Sequence, residues 1–228
     1  MTNIPLSKVE IVILYLIFGL ITFGIVLSRT DLYWFEFTYT AEDSFIEWMT
    51  VLPLLLSLAI TLRRLVRVYS RGHWLFAGIM LGLAAFCFFA AGEELSWGQR
   101  LFKLQSSAFF QENNSQRETN FHNLIINGYS INLLVFSRLI ILMAVFYLLV
   151  LPQLYQRKAF IRKWVDRAGL PVARGYQVLA FLAVFALISL CPSGKRAELL
   201  EFGGCFLFYL LVRYPLNAHI YTLAPKPR

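Results

Sequence analysis

Charge is scarce in this chain. Only 15% of its 228 residues are Asp, Glu, Lys or Arg, against roughly 25% in soluble domains. Several windows of about 20 residues hold almost none, which is the length a helix needs to cross ~30 Å of hydrocarbon. Histidine and cysteine are also rare, at three each. Three cysteines, Cys87, Cys191 and Cys205, set in or beside apolar runs, fit neither a disulfide framework nor a zinc motif and are expected as small core residues. There is no polar linker long enough to separate two domains, no internal repeat and no low-complexity tract.

What is present is apolar: 58% hydrophobic residues, 16% aromatic ones and a mean hydropathy of +0.62. The sequence predicts an all-α polytopic bundle of about six transmembrane helices in a single membrane domain, with spans near 9–28, 43–62, 74–94, 131–151, 176–191 and 199–216. The first run is too long for the core of a cleaved leader, so a retained span is expected. Pro53 falls inside the second span, where it removes a backbone hydrogen bond. Gly78-x-x-x-Gly82 followed by Ala84 and Ala85 in the third is a small-residue stripe suited to close helix approach. Between the fourth and fifth spans, cations at Arg157, Lys158, Arg162, Lys163 and Arg167 surround Phe160, Ile161, Trp164 and Val165, a pattern for an amphipathic helix on the membrane surface.

The net charge of +8 does not point to nucleic acid, because the cations sit in short segments between apolar runs. With both termini cytoplasmic in a cell (inner) membrane, fourteen of the 21 Lys and Arg residues fall on the inner side, as the positive-inside rule requires. Eleven of the 13 acidic residues then fall on the outer side, and only Glu10 and Asp166 do not. Acidic residues contribute little to topology, so this asymmetry asks for another cause. An outward-facing polar site is one.

Helix direction sorts these acids. Asp43, Glu47, Glu198 and Glu201 would lie in the first turns of inward-running helices, where the helix dipole stabilises a carboxylate. Glu93 and Glu94 end an outward-running helix, where the dipole opposes them, and need a cation, a proton or water. Arg100, two turns on if the helix continues, is one candidate. Arg138, about seven residues into the fourth span, is another, since an arginine at that depth faces the bundle interior or water. Glu118 and His122 are four apart, which on a helical turn places them on one face. With Glu94, or Glu47 from a neighbouring helix, they would form an oxygen–nitrogen ligand set for a divalent metal.

These residues support three expectations. The first is a membrane-embedded hydrolase or transferase acting on a lipid or lipid-linked substrate. There Glu93, Glu94, Glu118 and His122 would supply acid–base groups, Glu47, Glu94, Glu118 and His122 a metal site, and Arg100, Arg138, Gln99 and Trp97 the contacts to substrate, the arginines holding a phosphate. The second is a proton-coupled carrier gated by Glu93, Glu94 and Arg138. The third is a scaffold or accessory subunit that uses the polar groups for helix packing alone.

The stretch Gly92-Glu93-Glu94-Leu95-Ser96-Trp97-Gly98-Gln99-Arg100, followed by Asn114-x-Gln116-x-Glu118-x-Asn120-x-His122-Asn123-Leu124, resembles a family of small bacterial multispanning membrane proteins. Glu42-Asp43-Ser44-x-x-Glu47-Trp48 looks like part of the same pattern. The resemblance covers roughly residues 42 to 124 and implies an integral membrane protein, with no activity attached. The general plan is also similar to membrane-embedded ceramidase-like hydrolases, whose several zinc-binding histidines this sequence lacks.

Overall fold

The structure is a computed structural model that describes residues 5–69, 72–126, 128–130 and 142–222. It is all-α apart from a two-residue hairpin, Ile125–Ile126 with Tyr129–Ser130. Helix α1 spans Lys8–Thr30, α2 Phe45–Tyr69 and α3 Trp74–Glu94. Two short helices follow, α4 (Gln99–Phe102) and α5 (Ala108–Asn113), then α6 (Leu151–Arg157), α7 (Ala159–Ala168), α8 (Gly175–Ile188) and α9 (Arg196–Arg213).

Among the described residues three helices, α1, α2 and α3, are long and apolar enough to cross a membrane. The second runs on through Pro53 to Tyr69, past the expected end at 62. Helix α8 has only 14 residues, or about 21 Å at 1.5 Å per residue, shorter than the span expected over 176–191. Most of the expected fourth span, Arg138 included, lies outside the described residues. Its described part is helical, with a π-helical turn at Phe146–Val150 that leads into α6.

Large apolar side chains face outward as well as into the core, and several polar ones are buried. Leu81, Phe88, Leu179 and Phe185 are 57%, 59%, 68% and 63% exposed, whereas Glu10, Glu47, Thr50, Ser57, Thr61 and Gln177 are buried. Apolar side chains facing out and polar ones facing in are what hydrocarbon solvent selects. On α2 the buried positions Glu47, Thr50, Leu54, Ser57 and Thr61 recur every three or four residues, one helical face.

That face of α2 packs on both α3 and α9, and α1 and α8 close the other side of α9. Ile17, Ile21 and Ile25 of α1 meet Leu199, Phe202 and Phe206 of α9 and Val184 of α8 in the largest core cluster. Close approach here depends on Gly203, where a Cβ would stand 2.9 Å from Ile21 Cδ1 and 3.0 Å from Val184 Cγ1. The Gly78–Gly82 stripe does not play this role. A Cβ at either would meet nothing within 4 Å, and the packed face of α3 is instead Ala77, Met80, Ala84, Cys87 and Ala91. Small residues permit contact only on the side where a neighbour lies, and that side is not encoded in the stripe. The three cysteines are free, Cys87 and Cys191 buried and Cys205 partly so.

Polar locks fix which helix ends lie together. At one end, Arg29 Nη2 donates to Leu190 O (2.6 Å) and Ser193 Oγ to Glu36 (2.6 Å). At the other, buried Glu10 accepts from Arg174 Nη1 (2.7 Å) and Tyr176 OH (2.6 Å), and Gln177 Nε2 donates to Leu210 O (3.0 Å) and Tyr214 O (3.1 Å). The second end also holds the end of α2, the start of α3 and α7, joined by Arg64 stacked 3.6 Å over Tyr221 and by Phe76 against Tyr221. The first end is rich in acid and the second in base. Gly203→Leu should lower stability by about 1–3 kcal/mol through overpacking, while Gly204→Leu, which meets open space, should leave the detergent melting temperature within about 2 °C.

Candidate functional site at the acidic end

The acidic end is built where α3 stops. After Glu94 three successive residues, Ser96 (φ 46°), Trp97 (φ 54°) and Gly98 (φ 75°), take left-handed backbone, and the chain reverses. The indole of Trp97 folds back over Gly92, where a Cβ would come within 2.9 Å of the ring, and rests edge-on to Phe88 and Phe89. Its Nε1 donates to Glu93 Oε1 at 2.9 Å. Gly92, Glu93 and Trp97 are thus one hook: the glycine leaves room, the indole fills it and the carboxylate holds it.

The other oxygen of Glu93 accepts from the backbone N–H groups of Phe121 (2.6 Å) and His122 (3.2 Å), with His122 Nδ1 at 3.6 Å. This buried carboxylate ties the loop down onto the helix end. Ser96 Oγ donates to Glu118 and accepts from Asn120 Nδ2 at 2.8 Å. Gln99 Oε1 accepts from Thr119 N (2.7 Å), and its Nε2 donates to Ser106 Oγ (2.7 Å). Within the loop, Asn114 Oδ1 accepts from Gln116 N (2.8 Å) while its Nδ2 reaches Asn120 (2.9 Å). The two motif stretches are therefore halves of one hydrogen-bonded unit, and Glu42, which accepts from Gln116 Nε2 at 2.5 Å, brings in the third.

Arg100 sits among four carboxylates: Glu47 (2.5 Å), Glu42 (3.1 Å), Asp43 (3.4 Å) and Glu118 (3.6 Å). It also donates to the Glu94 carbonyl at 3.4 Å, one of the orphan carbonyls at the end of α3. Glu47 in turn accepts from Asp43 N (2.5 Å), capping the start of α2. In this structure the guanidinium is engaged by the protein's own carboxylates.

Several expectations change accordingly. Glu118 and His122 do not share a helical face, because residues 118–122 are an irregular turn. Glu118 goes to Ser96 and Arg100, and His122 to Glu93. Glu201 lies beyond the first turn of α9, which starts at Arg196; only Glu198 occupies that turn, beside Lys195 Nζ at 3.7 Å. Among the described residues no three His, Cys, Asp or Glu side chains converge on a metal position. The set Glu47, Glu94, Glu118 and His122 is divided, two of its members going to Arg100 and one to Glu93. Trp97 and Gln99 are held by Glu93 and by Ser106 and Thr119, so both serve the loop. Arg138 lies outside the described residues.

Glu94 is the exception. Adjacent residues on a helix point about 100° apart, so Glu94 does not follow Glu93 to the loop. No hydrogen bond or ion pair reaches its side chain from the described residues. The charges that act most strongly on it are Glu201 and then Glu198, and Glu94 and Glu201 both act on the Cys205 thiol one turn below. Cys205 itself packs with Val51, Leu54 and Ala91, which places this niche at the junction of α2, α3 and α9. Sequence reading treated Glu201 as a charged helix start; its spacing with Cys205 and Glu198 on one face of α9 was the available signal. No family model, no curated protein and no solved structure matches the chain.

His122 connects the two halves. Burial disfavours its charged ring, but the Glu93 hydrogen bond and the carboxylates of Glu201 and Glu198 outweigh this and raise its pKa above the ordinary histidine value. A raised folded-state value means that its stabilising contribution is complete below the unfolded value of about 6.5 and disappears as pH rises through the folded one. The melting temperature of His122→Gln should therefore trail the wild type more at pH 5.5 than at pH 9; an equal gap at both would show that folding leaves the ring's pKa unshifted, and a smaller gap at pH 5.5 that the fold keeps the ring neutral.

Proposed function

We propose that the chain is a six-span integral membrane protein with both termini on the basic, cytoplasmic side, and that its acidic end forms the active site of a membrane-interface hydrolase or transferase. The substrate is a lipid or lipid-linked molecule reached from the outer leaflet. The observation that carries this reading is the pair Glu94 and Glu201. In a cluster where nearly every other polar side chain is bonded, Glu94 of α3 and Glu201 of α9 act on each other electrostatically and have no donor of their own from the described residues.

Two such carboxylates repel, and the repulsion is relieved when one holds a proton. One neutral and one ionised carboxyl side by side are an acid and a base ready for proton transfer. His122, fixed by Glu93, borders the pair and can stabilise charge that develops there. The protein supplies this chemistry at the end of its apolar helices, the depth at which a lipid ester or phosphate lies.

A carrier reading draws on the buried polar file of α2, in which Ser57 Oγ has no hydrogen-bond partner among the described residues. Thr50 and Thr61, however, donate to carbonyls of their own helix, Ile46 O (3.0 Å) and Ser57 O (2.9 Å), so the file makes no continuous relay. A carrier also places its site near the midplane with access from both sides. The cluster at one end favours the enzyme.

Topology and activity are tested separately. A cysteine introduced at exposed Ser107 should react with a membrane-impermeant maleimide applied to intact cells, and one at exposed Lys163 should be protected until the cells are opened; the reverse pattern inverts the protein. For activity, the purified chain would be incubated in vesicles of bacterial polar lipids containing lipid-linked saccharides and the products followed by mass spectrometry. Wild type should convert at least one species, with Glu94→Gln and Glu201→Gln each slower by about 100-fold or more. No change in any lipid, or equal conversion by the variants, rules out the proposed acid–base pair.

A further inference from the structure

Helix α7 carries an apolar arc wider than the protein covers. Taken at 100° per residue, Phe160, Trp164, Ile161 and Val165 form one continuous arc. Its Ile161–Val165 half packs with Leu151, Tyr155 and Val172. Its Phe160–Trp164 half is uncovered, at 69% and 48% exposure, with the two rings edge to face at 6.2 Å. The helix is bound to the bundle by one side of its apolar face and presents the other.

The charges of α7 are sorted in the same way. Asp166, its one acid, turns inward to Tyr155 OH (2.9 Å) and Asn217 Nδ2 (3.1 Å). Arg162 caps the end of α6 by donating to Tyr155 O (3.2 Å) and Gln156 O (2.9 Å). The cations that remain beside the bare aromatic edge are Lys163 and Arg167, the latter 5.7 Å over the Trp164 ring, with exposed Arg157 and Lys158 just before the helix. The uncovered edge is therefore aromatic and wholly cationic.

Position supplies the remaining argument. At the end of α7, Gly169 lies so close to Phe76 that a Cβ would stand 2.5 Å from its ring, which fixes this end of α7 beside the first turn of α3. There Trp74 and, at the end of α2, Tyr69 are 69% and 60% exposed, in the manner of an aromatic belt at a water–lipid boundary. A cationic edge with two bare rings at that level complements anionic head groups above acyl chains. We infer that the Phe160–Trp164 edge of α7, with Lys163 and Arg167, binds anionic phospholipid of the leaflet at the basic end. This rests on the membrane-spanning part of the functional reading and not on the chemistry at Glu94.

The test uses the full chain in bilayer nanodiscs of phosphatidylcholine doped with brominated phosphatidylglycerol or brominated phosphatidylcholine. The signal from Trp164 is the difference in fluorescence quenching between wild type and Trp164→Phe. Phosphatidylglycerol should quench preferentially at low salt, and the preference should fall about fivefold for each of Lys163→Gln and Arg167→Gln and vanish at 1 M salt. Arg162→Gln should lower thermal stability but keep the preference. Equal quenching by the two lipids, or an undiminished preference in the Lys163→Gln/Arg167→Gln double variant, overturns the inference. So does equal quenching accompanied by heparin binding to the detergent-solubilised chain, which would assign the edge to a soluble acidic partner. Release of the chain from membranes by alkaline carbonate would instead refute the membrane-spanning reading on which the inference stands.

Discussion

Arg100 is the cation on which four carboxylates converge, and the acidic end has its shape because of it. Glu47 has a side chain only 7% exposed, and an ionised carboxylate at that depth is costly unless paired. The pairing comes from a residue 53 positions away in sequence, so the first turn of α2 and the chain beyond α3 must meet. Coordination of Glu118 by the same guanidinium then fixes the loop. Among the described residues Lys195, 3.7 Å from Glu42, is the cluster's other cation, and these groups together keep a surplus of negative charge. A site of this sign repels a free anion and accepts donors and cations.

Around that centre, neighbouring residues of one motif divide the labour. Glu93 is spent on structure, holding one indole and two backbone N–H groups. Glu94, one position on, contributes only its backbone carbonyl to the same network, and no described residue donates to its carboxylate. Helix geometry underlies the division, since adjacent side chains on a helix point about 100° apart. The same economy appears at the basic end, where Asp166 fastens α7 to Asn217 and leaves the outer edge of that helix cationic.

How much of this was legible in the sequence can be argued residue by residue. The apolar runs gave α1, α2 and α3 because length and hydropathy are local properties, and α7 was legible because its pattern is complete within ten residues. Helix direction correctly marked Glu93 and Glu94 as acids in need of an explanation. The answer was not legible, because it depends on the left-handed turn at Ser96–Gly98. Arg100 was placed by continuing a helix that in fact reverses, and Glu118 and His122 were joined by a helical face that the loop does not form. Three successive left-handed residues, two of them not glycine, persist only because the hook of Trp97 on Gly92 and Glu93 holds them, and that is a tertiary effect.

The asymmetry of acid between the two ends then acquires a physical cause. Asp31 caps a turn by accepting from Trp34 N at 2.9 Å, and Glu36 holds Ser193. Glu42, Asp43, Glu47 and Glu118 surround Arg100, Glu93 binds the loop, Glu198 lies beside Lys195 and Glu112 is exposed to water. Acids gather at this end because loops folded over helix ends leave backbone N–H groups and one arginine to be satisfied, and carboxylates do that work. When each is assigned, Glu94 and Glu201 remain, without donors among the described residues and partly shielded from solvent. These two are what the structural roles of the other acids leave over, and the acid–base chemistry we propose rests on them alone.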